Sequence, residues 1–127
     1  HVDTRLYYIG TNIRQLTKDD TIASKEIEAG LLTYEQSIFD KRNHALFQCI
    51  GSSQNIIYQA DCLNVEKGIY LLCSDGFRNR LSTKDIFENI YSIKYKKNLK
   101  KFNEDMIDLL IKRGEKDNIS VIIIESK

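Results

Sequence analysis

The stretch Tyr70-Leu-Leu-Cys-Ser-Asp-Gly-Phe77 decides how this chain is interpreted. Its apolar residues are typical of a buried strand and run directly into an acid and a glycine. A carboxylate at the end of such a strand is either a turn residue or a ligand, because Ser-Asp-Gly is a common turn sequence and carboxylates bind hard cations. Gly76 would let a backbone or a ligand approach closely. Taken alone, the stretch favours the turn interpretation.

Composition sets the limits of the other interpretations. A chain of 127 residues with 42% hydrophobic and 29% charged residues predicts one globular domain with a modest core. A net charge of +1 gives no electrostatic reason to expect nucleic acid or a membrane as partner. The basic run Lys94–Lys101 is typical of a solvated loop or helix face.

Cysteine usage and hydropathy predict a reducing, cytoplasmic compartment. Cys49, Cys62 and Cys73 have neither disulfide nor zinc spacing and are expected to be small core residues. No apolar run reaches the ~18 residues of a membrane span, and no charged-then-apolar leader opens the sequence. The sequence enters a strand pattern at once, which predicts that it is cut from a longer protein.

The first part of the chain predicts a hairpin followed by a helical insertion. Two β-rich runs flank Gly10-Thr11-Asn12, which is typical of an antiparallel pair. Residues 18 to about 49 then become polar and helical. A first helix with an acidic N-cap is expected to end at Gly30, and the pattern Thr33-x-x-Gln36 predicts a capping box at the start of a second.

The second part predicts more strands and two longer helices. Residues 56–65 have strand composition and are expected to pair with the strand at residues 69–74. A helix capped by Ser82 follows, then one running from an Asn103 cap to a stop at Gly114, and finally a buried strand at 119–124. Strand pairs joined by short turns favour an α+β fold, an antiparallel layered sheet with helices outside.

Three acidic motifs at strand ends are candidates for chemistry: Asp3-Thr4-Arg5, Ser74-Asp75-Gly76 and Lys116-Asp117-Asn118. Aspartates on rigid strand ends suit Mg²⁺ or Mn²⁺, which take carboxylate oxygens and keep waters. Each motif also has a structural explanation. Ser-Asp-Gly and Asp-Asn are turn sequences, and Arg5 could be the salt-bridge partner of Asp3 in a strand.

Other site chemistries find less support. His1 and His44 are the only histidines, and neither has a patterned partner. The sequence contains no GxSxG elbow, no GxxxxGK[ST] loop and no GxGxxG turn. Cys73 lies in an apolar strand rather than the basic setting of a nucleophile.

Read in order, these pieces resemble the C-terminal half of the metal-dependent protein phosphatases of the PP2C (PPM) family, of the compact bacterial type. The matching segments are VDTRLYYI, LTKDDT, AGLLTYEQS, RNHALFQCIG, IYLLCSDGF and EKDNISVIII. They are collinear with the family pattern and cover nearly the whole chain. The resemblance is therefore far more specific than any single motif.

The resemblance implies an antiparallel β-sandwich flanked by helices, present here as its C-terminal half. Residues 1–127 would be part of one phosphatase domain, with a helical flap at about 18–51. Asp75 and Asp117 would bind one of two Mn²⁺ or Mg²⁺ ions, and Asp3 would help to hold a third. The implied reaction is hydrolysis of phosphoserine and phosphothreonine in proteins by a hydroxide that the two metals activate, without a protein nucleophile.

The implied partners are phosphorylated proteins, a cognate Ser/Thr kinase that acts on the same substrates, and the missing N-terminal half or a second chain that completes the fold. Neither nucleic acid nor a membrane is expected. Because the N-terminal half carries the acid that bridges both metals in the family, this chain alone is expected to be inactive.

Three departures from the family pattern keep alternatives open. Val2 stands where the family has a glycine before the first acid, and Asp19-Asp20-Thr21 lacks a flap histidine. Gly114-Glu115 replaces a pair of glycines before the last acid. The first alternative is a pseudophosphatase or regulatory module that uses the fold to bind a partner. The second is a binding domain whose acids are turn residues.

Overall fold

The computed structural model describes residues 4–40, 60–95 and 98–127. These residues belong to two compact units. The first contains residues 18–40 and 60–63, and the second contains Thr4–Thr17 and Asn64–Lys127. No helix in the described ranges is both long enough and apolar enough to cross a membrane.

The described part of the first unit contains two short helices, α1 (Ile22–Glu28) and α2 (Tyr34–Phe39). The N-cap of α1 is Thr21, whose Oγ1 accepts the Ser24 N–H at 3.1 Å. The prediction of an acidic N-cap was therefore wrong. The acid before it, Asp20, is buried instead, and its Oδ1 lies 3.6 Å from Lys25 Nζ.

The second helix of this unit begins as predicted. Thr33 and Gln36 form a reciprocal capping box, in which each side chain bonds to the backbone N–H of the other residue. Gly30 adopts a φ of +73° just after α1, in the left-handed region that glycine tolerates best.

The described part of the second unit contains one antiparallel sheet with the strand order β2-β1-β3-β4. Its strands are β1 (Arg5–Ile9), β2 (Ile13–Gln15), β3 (Gly68–Cys73) and β4 (Val121–Ser126). The β1–β2 hairpin confirms the predicted pair. Strand β3 lies in the middle, so that its last residue, Cys73, pairs with both Arg5 and Val121.

Three helices pack on one face of this sheet: α3 (Asp75–Arg78), α4 (Thr83–Ile90) and α5 (Leu99–Lys112). The sheet contributes alternate residues to the core, such as Tyr7, Ile9 and Leu71, because successive strand residues point to opposite faces. Helix α5 contributes a stripe at positions i, i+4 and i+8 formed by Phe102, Met106 and Leu110. The α+β prediction is confirmed.

The boundaries of α4 and α5 partly follow the predictions. Ser82 caps α4 in a capping box with Asp85, as expected. Helix α5 is capped by Asn98 and not by Asn103, because the fully buried Phe102 already lies within its first turn. Lys100 and Lys101 on that turn are exposed, which agrees with the predicted solvated face.

The predicted strand at 56–65 was wrong where it can be compared. Its described residues, 60–65, are exposed and irregular, and positions 56–59 lie outside the described ranges. The expected pairing with β3 does not occur in the described residues, because β1 and β4 occupy both edges of that strand. Cys62 is exposed, against the prediction, whereas Cys73 is buried as expected. Cys49 lies outside the described ranges.

The second face of the sheet is apolar and partly exposed. Two rows of residues cross it in register, Leu6-Leu72-Ile122 and Tyr8-Tyr70-Ile124. Exposure grows toward β4, where Ile122 is 58% and Ile124 59% exposed. The prediction that the last strand is buried was therefore wrong for this face, although Val121 and Ile123 pack against the core on the other.

Candidate metal centre

The antiparallel pairing of β3 and β4 brings Asp75 and Asp117 to the same end of the sheet. Cys73, the last residue of β3, pairs with Val121, the first residue of β4. Asp75 follows two residues after Cys73, as the first residue of α3, and Asp117 lies four residues before Val121. Asp75 is half-buried and Asp117 is exposed. The paired strands therefore anchor both segments: the Asp75 turn, which is the single helical turn of α3, and the Asp117 turn, residues 115–118 before β4.

Ser74 links the two turns by hydrogen bonds. Its backbone N–H donates to the carbonyl oxygen of Ser120 at 3.0 Å, and its Oγ accepts the Ser120 N–H at 3.1 Å. The same hydroxyl lies 3.3 Å from the carbonyl oxygen of Asn118, to which it donates. These bonds extend the β3–β4 ladder into the segment that carries Asp117.

Gly76 lets the two turns touch. A Cβ atom built on Gly76 would lie 2.3 Å from the carbonyl oxygen of Asn118 and 3.4 Å from Cβ of Asp117. The first distance is far below van der Waals contact, so only glycine fits here without displacing the backbone. The glycine after Asp75 therefore allows Asp117 to approach.

Each aspartate is also held by its own turn. Asp75 Oδ1 accepts the N–H of Gly76 at 2.9 Å, and Asp117 Oδ1 accepts the N–H of Asn118 at 2.7 Å. Such bonds are common for turn aspartates and fix the orientation of the side chain. In both residues it is Oδ1 that makes this bond.

A further carboxylate, Glu115, supports the Asp117 turn. Its Oε1 accepts the N–H groups of Lys116 at 2.9 Å and Asp117 at 3.0 Å, and its Oε2 lies 3.6 Å from Arg80 Nε. The Asp117 N–H, then the Lys116 N–H, and then the charge of Arg80 hold the pKa of Glu115 below its ordinary value. Sequence patterns missed the roles of Glu115 and Ser74, because both depend on which loops meet at this end of the sheet.

The donor set fits part of a site for a hard divalent cation. Two aspartate carboxylates on anchored turns are suitable ligands for Mg²⁺ or Mn²⁺, which take about six oxygen ligands including waters. Within residues 4–40, 60–95 and 98–127, no three His, Cys, Asp or Glu side chains cluster closely enough to hold a metal. The third predicted ligand, Asp3, lies outside the described residues, and the ligand roles of all three aspartates stay predictions.

No protein-family model matches the sequence. A protein from Streptococcus pyogenes named as a protein phosphatase 2C-type is 29% identical over 113 residues, which is 88% of this chain and 45% of that protein. The solved structure of the Streptococcus agalactiae serine/threonine phosphatase superimposes with a TM-score of 0.80 at 28% identity, over 98% of this chain and 51% of that one.

The chain is similar in sequence and in fold to one half of the PP2C-type serine/threonine phosphatases. It spans about half the length of the curated relatives it matches. The fold also matches part of the catalytic domain of the serine/threonine protein phosphatase PstP, with a TM-score of 0.72 at 24% identity. That PstP structure was solved in complex with two manganese ions, and this chain covers 49% of the PstP chain.

Proposed function

We propose that this chain supplies one side of the active site of a metal-dependent protein phosphatase that hydrolyses phosphoserine and phosphothreonine. The contact between the two aspartate turns carries the proposal. A turn aspartate needs no second aspartate beside it, yet Gly76 allows the Asp117 segment to pack directly against the Asp75 turn. The relatives named as Ser/Thr phosphatases and the manganese-bound PstP neighbour support the same conclusion.

Two aspartates of this chain would bind a metal ion, and their turns would orient the two carboxylates. The Oδ2 atoms of Asp75 and Asp117 would hold one of two Mn²⁺ or Mg²⁺ ions, while their Oδ1 atoms keep the turn bonds that fix both side chains. When bound, such ions act as Lewis acids that activate water and neutralise charge on the phosphoryl oxygens. The proposal for Asp3, as a ligand of a third ion, rests on the sequence resemblance alone.

The exposed apolar face of the sheet supports the proposal that a second half of the domain packs against it. Ile122 and Ile124 are 58% and 59% exposed, beside Leu72 and Tyr70 on the neighbouring strand. A contiguous apolar surface of this kind is typical of an interface. Because the chain spans about half of its relatives, we assign this face to the sheet of the N-terminal half, which would close the sandwich and bring the remaining metal ligands.

The phosphatase proposal is tested in the complete domain, meaning this chain joined to its N-terminal half. Asp75→Asn and Asp117→Asn should each lower Mn²⁺-dependent release of phosphate from p-nitrophenyl phosphate and from a phosphothreonine peptide. The loss should be about 10³-fold or more, because a Lewis acid contributes several kcal/mol to the transition state.

Asp108→Asn is the matched control, since Asp108 is an exposed aspartate within α5, and its rate should equal that of the unmodified domain. An unchanged rate in Asp75→Asn would contradict the proposal. A complete domain that binds Mn²⁺ but releases no phosphate would favour a pseudophosphatase or regulatory module. A domain that binds no Mn²⁺ at all would favour a binding domain whose aspartates are turn residues.

A further inference from the structure

We infer that Glu115 is a positioning residue for Asp117, whose turn is oriented toward the metal by the two backbone hydrogen bonds that the Glu115 side chain accepts. This inference rests on the proposed function, because it gives Glu115 a role only if Asp117 is a ligand.

The end of α5 fixes the backbone of Glu115. Gly114 has a φ of +79°, and its N–H donates to the Ile111 carbonyl at 3.0 Å. The N–H of Glu115 reaches back to the Leu110 carbonyl, also at 3.0 Å. This pair of bonds is a Schellman motif, which ends the helix in one defined direction. Glu115 therefore starts from a rigid helix end rather than from a free loop.

The side chain of Glu115 then organises the residues that follow. Only 7% of it is exposed, although its neighbours Lys116 and Asp117 are solvent-exposed. One oxygen accepts two successive backbone N–H groups, those of Lys116 and Asp117. Hydrogen bonds to a charged acceptor are stronger than neutral ones, so they define the backbone at Asp117. The orientation of the Asp117 side chain depends on that backbone.

The second oxygen of Glu115 connects this loop to the other turn. It lies 3.6 Å from Nε of Arg80, which follows α3 and therefore the Asp75 turn. The carbonyl oxygen of Arg80 accepts a bond from Arg113 Nη1 at 2.6 Å, so the chain after α3 is tied twice to the end of α5. Groups that orient metal ligands in this way commonly change metal affinity by about 10–100-fold when removed.

The test uses the complete domain and Mn²⁺ alone, with free Mn²⁺ followed by electron paramagnetic resonance. Glu115→Ala should weaken Mn²⁺ binding about 10–100-fold. Glu115→Gln keeps an oxygen acceptor for the two N–H groups and should recover most of that loss. Glu104→Ala is the matched control, because Glu104 is an exposed glutamate of α5 paired with Lys100, and it should bind Mn²⁺ normally.

A readout without metal separates positioning from a general effect on folding. Amide hydrogen exchange at Lys116 and Asp117 should be at least about 10-fold faster in Glu115→Ala than in Glu115→Gln, with core amides of α5 unchanged. If Glu115→Ala does not fold, the Gln variant still decides, since it must keep both slow amides and near-normal Mn²⁺ affinity.

The outcomes distinguish this inference from the proposed function. If Asp117→Asn loses Mn²⁺ and Glu115→Ala does not, Glu115 has no positioning role and the inference is overturned. If Glu115→Gln binds Mn²⁺ as weakly as the Ala variant, the charge rather than the hydrogen-bond geometry matters, which also overturns it. If Asp117→Asn binds Mn²⁺ normally, the proposed function itself fails.

Discussion

Replacing Gly76 by alanine tests the contact on which the candidate site depends. The new Cβ would lie 2.3 Å from the carbonyl oxygen of Asn118, whereas ordinary contact begins near 3.4 Å. The difference of these two distances, 3.4 − 2.3 = 1.1 Å, is the separation that the two turns must acquire. The obstructing atom belongs to the backbone, so no side-chain rotation can relieve the clash.

Two costs and one gain set the size of the effect on stability. Overpacking costs about 1–3 kcal/mol, and a 1.1 Å shift would lengthen the 3.3 Å bond from Ser74 Oγ to Asn118 beyond hydrogen-bond range. That lost bond adds about 1 kcal/mol. Alanine within α3 would return at most about 1 kcal/mol through higher helix propensity. The net loss in the free energy of unfolding is therefore about 1–3 kcal/mol.

The effect on function should be larger than the effect on stability. Displacing Asp117 from Asp75 by about 1 Å is expected to lower the phosphatase rate about 100-fold, because catalytic groups tolerate little misplacement. Urea unfolding and a Mn²⁺-dependent phosphate-release assay on the complete domain measure the two effects. Gly30→Ala is the control: nothing lies within 4 Å of its Cβ position, and its positive φ costs about 1–2 kcal/mol without affecting Mn²⁺ affinity. A Gly76→Ala domain with normal stability and normal Mn²⁺ affinity would refute the reasoning.

Three further outcomes are expected in the complete domain. Leu110→Ala should cost about 2–5 kcal/mol in urea unfolding because Leu110 is fully buried, whereas Ile111→Ala, at a position 60% exposed, should change it by less than about 0.5 kcal/mol. The side chains of Lys94, then Tyr95, then Lys101 hold the pKa of Asp105 at about 2, so the stability this carboxylate adds above pH about 4 should disappear as the pH falls toward 2. In Asp105→Asn this part of the fall in Tm at low pH should be absent. A variant whose Tm falls with pH as that of the unmodified domain does would contradict the prediction. Ile124→Lys should weaken copurification of this chain with a separately expressed N-terminal half, and Ile111→Lys, a comparably exposed isoleucine, should not; equal binding by both would contradict the assignment of the sheet face.

Local signals predicted the ends of elements well. Ser82 and Thr33 cap their helices as their spacing indicates, and Gly114 ends α5, because each of these signals acts within one helical turn. Predictions were wrong where contacts between residues far apart in the sequence decide the structure. Asn103 is a good cap by composition, but burying Phe102 against the core requires the helix to begin earlier.

The same distinction applies to the site and to the last strand. The residue types of Asp75 and Asp117 were visible in the sequence, whereas their proximity depends on the pairing of Cys73 with Val121, which no local pattern contains. The run Val121–Ile124 reads as a fully buried strand, but only one of its faces meets the helices. Sequence hydrophobicity reports what must be buried without saying against what.

The exposed face of β4 has a consequence for handling this chain by itself. Strand β4 lies at the edge of the described sheet, and its Val-Ile-Ile-Ile run combines high β propensity with no charge and no proline. Such a segment on an open edge is a template for strand addition and for fibrillar aggregation. Refolded alone at high concentration, the chain should therefore precipitate faster than it does beside its N-terminal half, which makes solubility a simple measure of how well the two halves fit.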